Sequence, residues 1–202
     1  MKLKFQKLNE DRLDDMTDEY LDYEIENPRL VTEPEQKYTS KKTSRPQVPK
    51  LHKDMVKKKF WKDKSVNLDY GGGGYDLASD FVHNLGVLNL VYDPFWRDKK
   101  HNQRVENYLI HNGGADSATC ANVLNVLSTP QIRRTAIENI HHFLKDGCYA
   151  YFSFYRLSGA QEGPTTNGYQ LHRKTAEYLP EIEAVFGHDN VTSNSDMIIA
   201  RK

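Results

Sequence analysis

The stretch NLDYGGGGYD, Asn67 to Asp76, decides how this chain folds. Its first residues close the β-prone run SVNLDY, which begins at Ser65 and predicts a short strand. The glycine run Gly71 to Gly74 follows, and Leu77 to Leu85 then has the apolar spacing of an amphipathic helix. Glycines let the backbone turn sharply and approach a ligand without side-chain collision. The helix start beyond them offers unpaired amides to a polar group. A tight turn needs fewer glycines than this, so strand, glycine run and helix together predict a ligand-binding loop.

Downstream, the pattern keeps alternating. VLNLVY, Val87 to Tyr92, is a second strand that ends at Asp93-Pro94, and a weaker third lies within Glu106 to Ile110. Ser117 to Leu124 reads as a buried strand, Thr129 to Leu144 as a long helix opening on Pro130, and CYAYFSFYR after Gly147 as the strongest strand. Leu157 to Gln170 reads as a polar, loop-like segment able to act as a lid. A helix from about Thr175 to Phe186 follows, and VTSN and DMIIARK close the chain as an antiparallel pair. Strands separated by helix-length segments imply crossover units and a mostly parallel sheet with helices on both faces. Ligands bind such sheets at the carboxyl ends of the strands, near the reversal of strand order.

Upstream, the chain changes character. Asn9 to Gln36 is strongly acidic, with Leu13, Met16, Tyr20 and Tyr23 spaced as one helical stripe. The sign then reverses in the Lys-rich segment 37–62, where prolines such as Pro46 and Pro49 break any long helix. That segment reads either as a solvated linker whose lysines neutralise the acidic stretch or as an arm for nucleic acid or an acidic partner. Leu51, Met55, Val56, Phe60 and Trp61 predict a helix packed on the core just before the first strand. The division expected is therefore a charged, partly helical extension over 1–62 and a folded domain over 63–202.

The 202 residues suit one domain with an extension. Lys plus Arg and Asp plus Glu both total 28, so the formal charge is zero, which argues against a whole surface built to grip nucleic acid. The two cysteines, Cys120 and Cys148, sit in apolar runs and suggest a reducing compartment rather than a disulfide framework. No run approaches a membrane span and the first residues lack a signal-type apolar region, so the expectation is a cytoplasmic protein with no membrane partner. His111 reads as a turn residue and His141-His142 as a part-exposed helical pair; no cluster has metal-ligand spacing, so no metal is expected.

Asp93 follows the glycine run by about twenty residues, the interval at which an acid accepts hydrogen bonds from the ribose of an adenosine-containing ligand. Pro94 and Phe95 beside it suit an apolar wall for adenine. A dinucleotide site wants Gly-x-Gly-x-x-Gly, and Asp76 stands where its third glycine belongs. An acid ahead of the glycines, Asp69-Tyr70-Gly71-Gly72-Gly73, instead suits a cofactor carrying an ammonium group and a sulfonium.

LDYGGGGYD, YDPFW, ADSATCANVLNVL and CYAYFSFYR together resemble the class I S-adenosylmethionine-dependent methyltransferases. Within that class the chain is most similar to methyltransferases associated with DNA phosphorothioation clusters and to related small phage proteins, a similarity that reaches GPTTNGYQLHRKTAEYL and covers roughly residues 65–202. The resemblance implies a Rossmann-like α/β fold with a seven-stranded-type sheet, mostly parallel, and S-adenosylmethionine as cofactor. It implies that Asp69, Tyr70, Gly71, Gly72 and Gly73 lie under the methionine part, that Asp93 holds the ribose with Pro94 and Phe95 against adenine, and that Asn122 and Val123 line the methyl side. Asp116, or Asn112 before it, would reach the adenine amino group. The loop departs from the family in having Tyr75 at its third glycine position, with Gly74 displaced by one.

Methyl transfer is an in-line displacement that needs alignment and sometimes proton removal, so no universal catalytic residue marks it. The Asn/Asp-Pro-Pro-aromatic motif of amino-methylating DNA enzymes is absent from Ala121-Asn122-Val123-Leu124, and no Pro-Cys pair marks a cytosine enzyme. Asn122, Tyr155, Tyr169 and Gln170 are the polar candidates for the methyl side. The function expected is methyl transfer to an unidentified acceptor, nucleic acid among the candidates through residues 37–62. The alternatives are a non-catalytic cofactor-binding or partner protein, or a phage-type enzyme that cleaves the cofactor.

Overall fold

The computed structural model describes residues 45–166 and 168–202; the acidic segment and its helical stripe lie outside them. Helix α1 (Lys50–Lys57) precedes strand β1 (Val66–Tyr70), helix α2 (Leu77–His83) and strand β2 (Leu88–Tyr92). Helix α3 (Lys99–His111), strand β3 (Ala115–Ala121), helix α4 (Pro130–Phe143) and strand β4 (Leu144–Ser153) follow. A short hairpin, β5 (Gly163–Thr165) and β6 (Gly168–Gln170), leads to helix α5 (Leu179–Phe186) and strands β7 (Val191–Ser193) and β8 (Ile198–Arg201).

Among the described residues the main sheet has six strands in the order β2-β1-β3-β4-β8-β7. β1 pairs in parallel with β2 and β3, β3 pairs in parallel with β4, and β8 is antiparallel to both β4 and β7. β1 is buried along its whole length, as expected of a central parallel strand covered on both faces. Val105, Leu109, Ile137, Ile140 and Phe186 from α3, α4 and α5 meet Leu68, Phe152 and Ile198 in the larger core. Each such side chain stabilises the fold by roughly 1.5–3 kcal/mol on full burial. Leu51 and Met55 of α1 make a second core with Tyr151 and Met197, and Phe60 stacks on Tyr151, so the expected packing of this segment on the sheet is observed.

The strand expected within Glu106 to Ile110 is instead the second half of α3, and the six strands of the main sheet among the described residues keep the mostly parallel arrangement expected, with its antiparallel pair at the C-terminal end. Val105 and Leu109 are buried one helical turn apart, and Asp98 caps the helix by accepting from the His101 amide. His111, read as a turn residue, is the last residue of that helix. The strand expected over Ser117 to Leu124 ends at Ala121, because Asn122 adopts a left-handed φ of 60° and Leu124–Val126 forms a 3-10 turn. The segment read as a loop from Leu157 to Gln170 carries the β5–β6 hairpin. The helix expected from Thr175 begins as a 3-10 turn, Thr175–Tyr178, and becomes α-helical only at Leu179, with Pro180 in its first turn. Gly147, read as an interruption, lies inside β4 at φ 78° beside a shift of register.

The strand order reverses between β1 and β3: the chain goes outward to β2 and returns across β1. The turns after these two strands therefore diverge and leave a crevice at their carboxyl ends.

Candidate functional site

The crevice is a cavity of about 530 Å³. Ten of the residues expected at the cofactor line it: Asp69, Tyr70, Gly71, Gly72, Gly73, Asp93, Pro94, Phe95, Asn122 and Val123. Asn122, Tyr155, Tyr169 and Gln170, expected on the methyl side, line it as well. Asp116 and Asn112 do not. Asp116 sits at the opposite end of its strand, accepting from the Val66 amide at 2.8 Å and pairing with Lys145 at 2.8 Å. Asn112 caps the end of α3.

The glycine turn is tight because two strand ends meet there. Gly71 has φ 73° and its amide donates to the Tyr92 carbonyl at 2.7 Å. A Cβ on Gly71 would lie 2.5 Å from Val123 Cγ2, so only glycine allows the β1 and β3 turns to approach this closely. One residue on, a Cβ at Gly72 would lie 2.8 Å from Asp69 Oδ2.

Asp93 ends β2 as a buried carboxylate. Its Oδ2 accepts from the Gly73 amide at 2.9 Å, and its Oδ1 from the amides of Phe95 and Trp96 at 2.9 and 3.0 Å. Burial pushes its carboxyl above the usual range, and these amides offset the shift only in part. Oδ1 is filled by its two amides, whereas Oδ2 keeps a further acceptor position, so the group can still receive a hydroxyl donor. Arg97 braces the turn from outside through the Gly73 carbonyl and Asp76, at 2.9 and 2.6 Å.

Asp69 is shifted the other way. Burial raises its pKa, but the His52 ring at 3.2 Å, the Thr119 hydroxyl at 3.0 Å and Asn89 outweigh it and hold the carboxyl below its ordinary value. The network runs on through the sheet. Thr119 accepts from Asn67 at 2.9 Å, Asn67 accepts from Ser117 at 2.7 Å, and Ser117 accepts from Trp61 Nε1 at 2.9 Å. His52 and Trp61 thus tie the segment before β1 to the floor of the glycine turn. His52 was not legible as a site residue: it is one histidine within a lysine-rich stretch, and only the docking of α1 carries it to Asp69.

Residues ahead of the folded core reach the cavity too. Arg45, Gln47 and Pro49 line it, whereas Lys53, Lys57, Lys58, Lys59 and Lys62 are exposed to solvent. Across the cavity, the Leu171 amide donates to the Asn125 carbonyl at 2.7 Å and ties the end of β6 to the 3-10 turn. His172 Nδ1 accepts from the Leu157 amide at 3.1 Å. Behind this wall Arg133 makes a two-pronged ion pair with Glu181, both contacts at 2.7 Å. Cys120 and Cys148 are free thiols. No described helix is long and apolar enough to cross a membrane, and no group of potential metal ligands occurs among the described residues.

Strand order, parallel pairing and crevice define a Rossmann-like α/β fold of the class I S-adenosylmethionine-dependent methyltransferase type. The 1,6-didemethyltoxoflavin-N1-methyltransferase of Burkholderia thailandensis, solved with 1,6-didemethyltoxoflavin and S-adenosylhomocysteine, matches at a TM-score of 0.51 and 14% identity, over 100% of this chain and 89% of its own. Human N-acetylserotonin methyltransferase matches at 0.47 and 17% identity, over 68% of this chain and 47% of its own. A methyltransferase from Aquifex aeolicus matches at 0.44 and 12% identity, over 84% and 97%. At 14% identity the likeness to the Burkholderia enzyme is one of fold. No protein-family model and no curated protein matches the sequence.

Proposed function

We propose that the protein is an S-adenosylmethionine-dependent methyltransferase. The observation that carries the reading is the convergence, in one cavity, of the Gly71–Gly73 turn and the buried carboxylate of Asp93 at the ends of adjacent strands. The cavity also fits such a group in its unused polar atoms. Trp96 Nε1 is buried without a hydrogen-bond partner among the described residues and belongs to a side chain that lines it.

Asp93 Oδ2 would accept from a ribose hydroxyl, with Pro94 and Phe95 walling the adenine ring. The open backbone around Gly71–Gly73 would accommodate the methionine part. Asn122, held in its left-handed turn with its amide bonded to the Ser153 carbonyl at 2.8 Å, would present main chain toward the reacting centre. Asp69 supports the glycine turn from beneath, its oxygens already engaged by the His52 ring and the Thr119 hydroxyl. Bound S-adenosylmethionine would supply an electrophilic methyl on a sulfonium. The chain's own contribution would be alignment of the two reactants. The narrower kinship with methyltransferases of DNA phosphorothioation clusters and small phage proteins belongs to the same proposal and rests on the sequence resemblance over roughly residues 65–202.

Calorimetric titration of the purified chain with S-adenosylmethionine and S-adenosylhomocysteine tests the reading. Micromolar binding of both, weakened by substitution of Asp93, supports it; binding of neither overturns it.

A further inference from the structure

The segment that carries α1 meets the cofactor cavity at two places. At its start Gln47 and Pro49 line the cavity, and Pro49 is the residue from which α1 begins. Further along, His52 is fully buried, and its Nε2 lies 3.2 Å from Asp69 Oδ2. That same oxygen would stand 2.8 Å from a Cβ at Gly72, so it lies against the backbone of the glycine turn. Asn89 reaches it only at 3.5 Å. The carboxylate torsion of an aspartate is broad, so contacts on both oxygens are needed to fix its plane. Thr119 supplies one on Oδ1, and His52 supplies the closer one on Oδ2.

Trp61 holds the same carboxylate from the far end of the segment. Its Nε1 donates to Ser117 Oγ at 2.9 Å, and Ser117 donates to Asn67 Oδ1 at 2.7 Å. Asn67 Nδ2 then donates to Thr119 Oγ1 at 2.9 Å, and Thr119 to Asp69 Oδ1 at 3.0 Å. All of these bonds run one way, so each donor polarises the next. Burial opposes the charge on Asp69 and its donors outweigh that, so the group accepts only and the His52 ring carries a hydrogen on Nε2. That nitrogen also lies 3.5 Å from Thr119 Oγ1, so both of its polar contacts go to the floor of the turn. Leu51 and Met55, on either side of His52, pack with Tyr151 and Met197, and this apolar burial docks the helix.

We propose, building on the methyltransferase reading, that His52 and Trp61 are positioning residues for the cofactor: with α1 docked, they hold Asp69 beneath Gly72 and so set the shape of the glycine turn. Neither lines the cavity, and both act through Asp69. Cofactor affinity then depends on a segment outside the glycine motif. By reciprocity a bound cofactor holds α1 on the sheet. Gln47 and Pro49 lead directly into α1, so its release opens the wall they form as it loosens the floor.

The test uses the full chain and combines S-adenosylhomocysteine calorimetry, denaturant midpoints and hydrogen exchange read over residues 50–57. His52→Ala weakens S-adenosylhomocysteine by about tenfold, a factor usual for coupled sites. His52→Gln, whose side-chain amide still donates to Asp69, recovers much of the loss. Trp61→Phe keeps a ring but not the donor, and gives a smaller loss of the same sign. Ile182→Ala truncates the core in α5, away from the cavity lining; it lowers the midpoint as His52→Ala does and leaves affinity unchanged. In the wild type, saturating S-adenosylhomocysteine slows exchange over residues 50–57 by a factor similar to the affinity lost in His52→Ala. Should His52→Ala fail to fold by circular dichroism, Trp61→Phe and the wild-type exchange are read in its place. Wild-type affinity in His52→Ala, an equal loss in Ile182→Ala, or exchange over residues 50–57 that S-adenosylhomocysteine leaves unchanged overturns the inference. A wild-type chain that does not bind S-adenosylhomocysteine defeats the methyltransferase reading itself, and this inference with it; calorimetry sees that outcome first.

Discussion

The two sides of the cavity do different chemistry with different materials. The β1–β2 side is made of backbone and buried carboxylates: a glycine turn, Asp93 wrapped by three amides, and Asp69 contacted by the His52 ring and the Thr119 hydroxyl. The β3–β4 side is made of side chains: tyrosines, aliphatics and the amides of Asn122, Asn125 and Gln170. A backbone-built site admits little variation, because its shape is set by strand pairing and φ angles. A side-chain-built site can be altered without touching the sheet. Methyltransferase folds serving many acceptors are expected to divide in this way.

The largest effect expected from disturbing this division comes from beneath the glycine turn. His52→Ala leaves Asp69 buried beside one fewer donor and costs about 3 kcal/mol of unfolding free energy, read from the denaturant midpoint. A cost near zero would mean that α1 is not anchored through this pair. Gly71→Ala places a Cβ against Val123 at φ 73° and weakens cofactor binding by about a hundredfold. The double variant Gly71→Ala/Val123→Ala regains part of this, and failure to regain any would assign the whole effect to backbone strain.

Asp93→Ala removes the expected ribose partner and weakens S-adenosylhomocysteine by about tenfold or more. Acid sharpens the contrast between the two carboxylates. Asp93 is shifted up by burial and Asp69 is shifted down, so as pH falls Asp93 takes its proton first. Cofactor affinity therefore drops while the fold persists. The stability that Asp69 contributes is present above its unfolded value near 3.8 and is lost only as pH falls through its lower folded pKa. Parallel calorimetry and far-UV circular dichroism across this range check the order. The smallest effect is on the hairpin: Glu162→Ala removes a partly exposed pair with Arg173 and costs under about 1 kcal/mol.

How legible each element was depended on how local its cause is. The β1 strand, the glycine turn and Asp93 form a nearly contiguous signal, since a strand, a turn and a capping acid each act over a few residues. The order of strands and helices followed from the same local periodicity. Glu106 to Ile110 misled because a short apolar spacing fits strand or helix until the Asp98 cap is weighed. Asn122 ended its strand early through a left-handed φ that no local pattern announces. Asp116 was placed on the wrong side because its distance from the cavity depends on which end of β3 it occupies.

The sequence alone therefore determined the α/β class, the crossover rhythm and the residues of the glycine side, because those rest on hydrogen bonds and torsions between near neighbours. The tertiary structure alone decided that His52 meets Asp69, that Val123 closes on Gly71, and that Asn125, Tyr155 and Tyr169 share one wall. Those contacts join residues brought together by sheet order and helix docking, and burial rather than local propensity selects them.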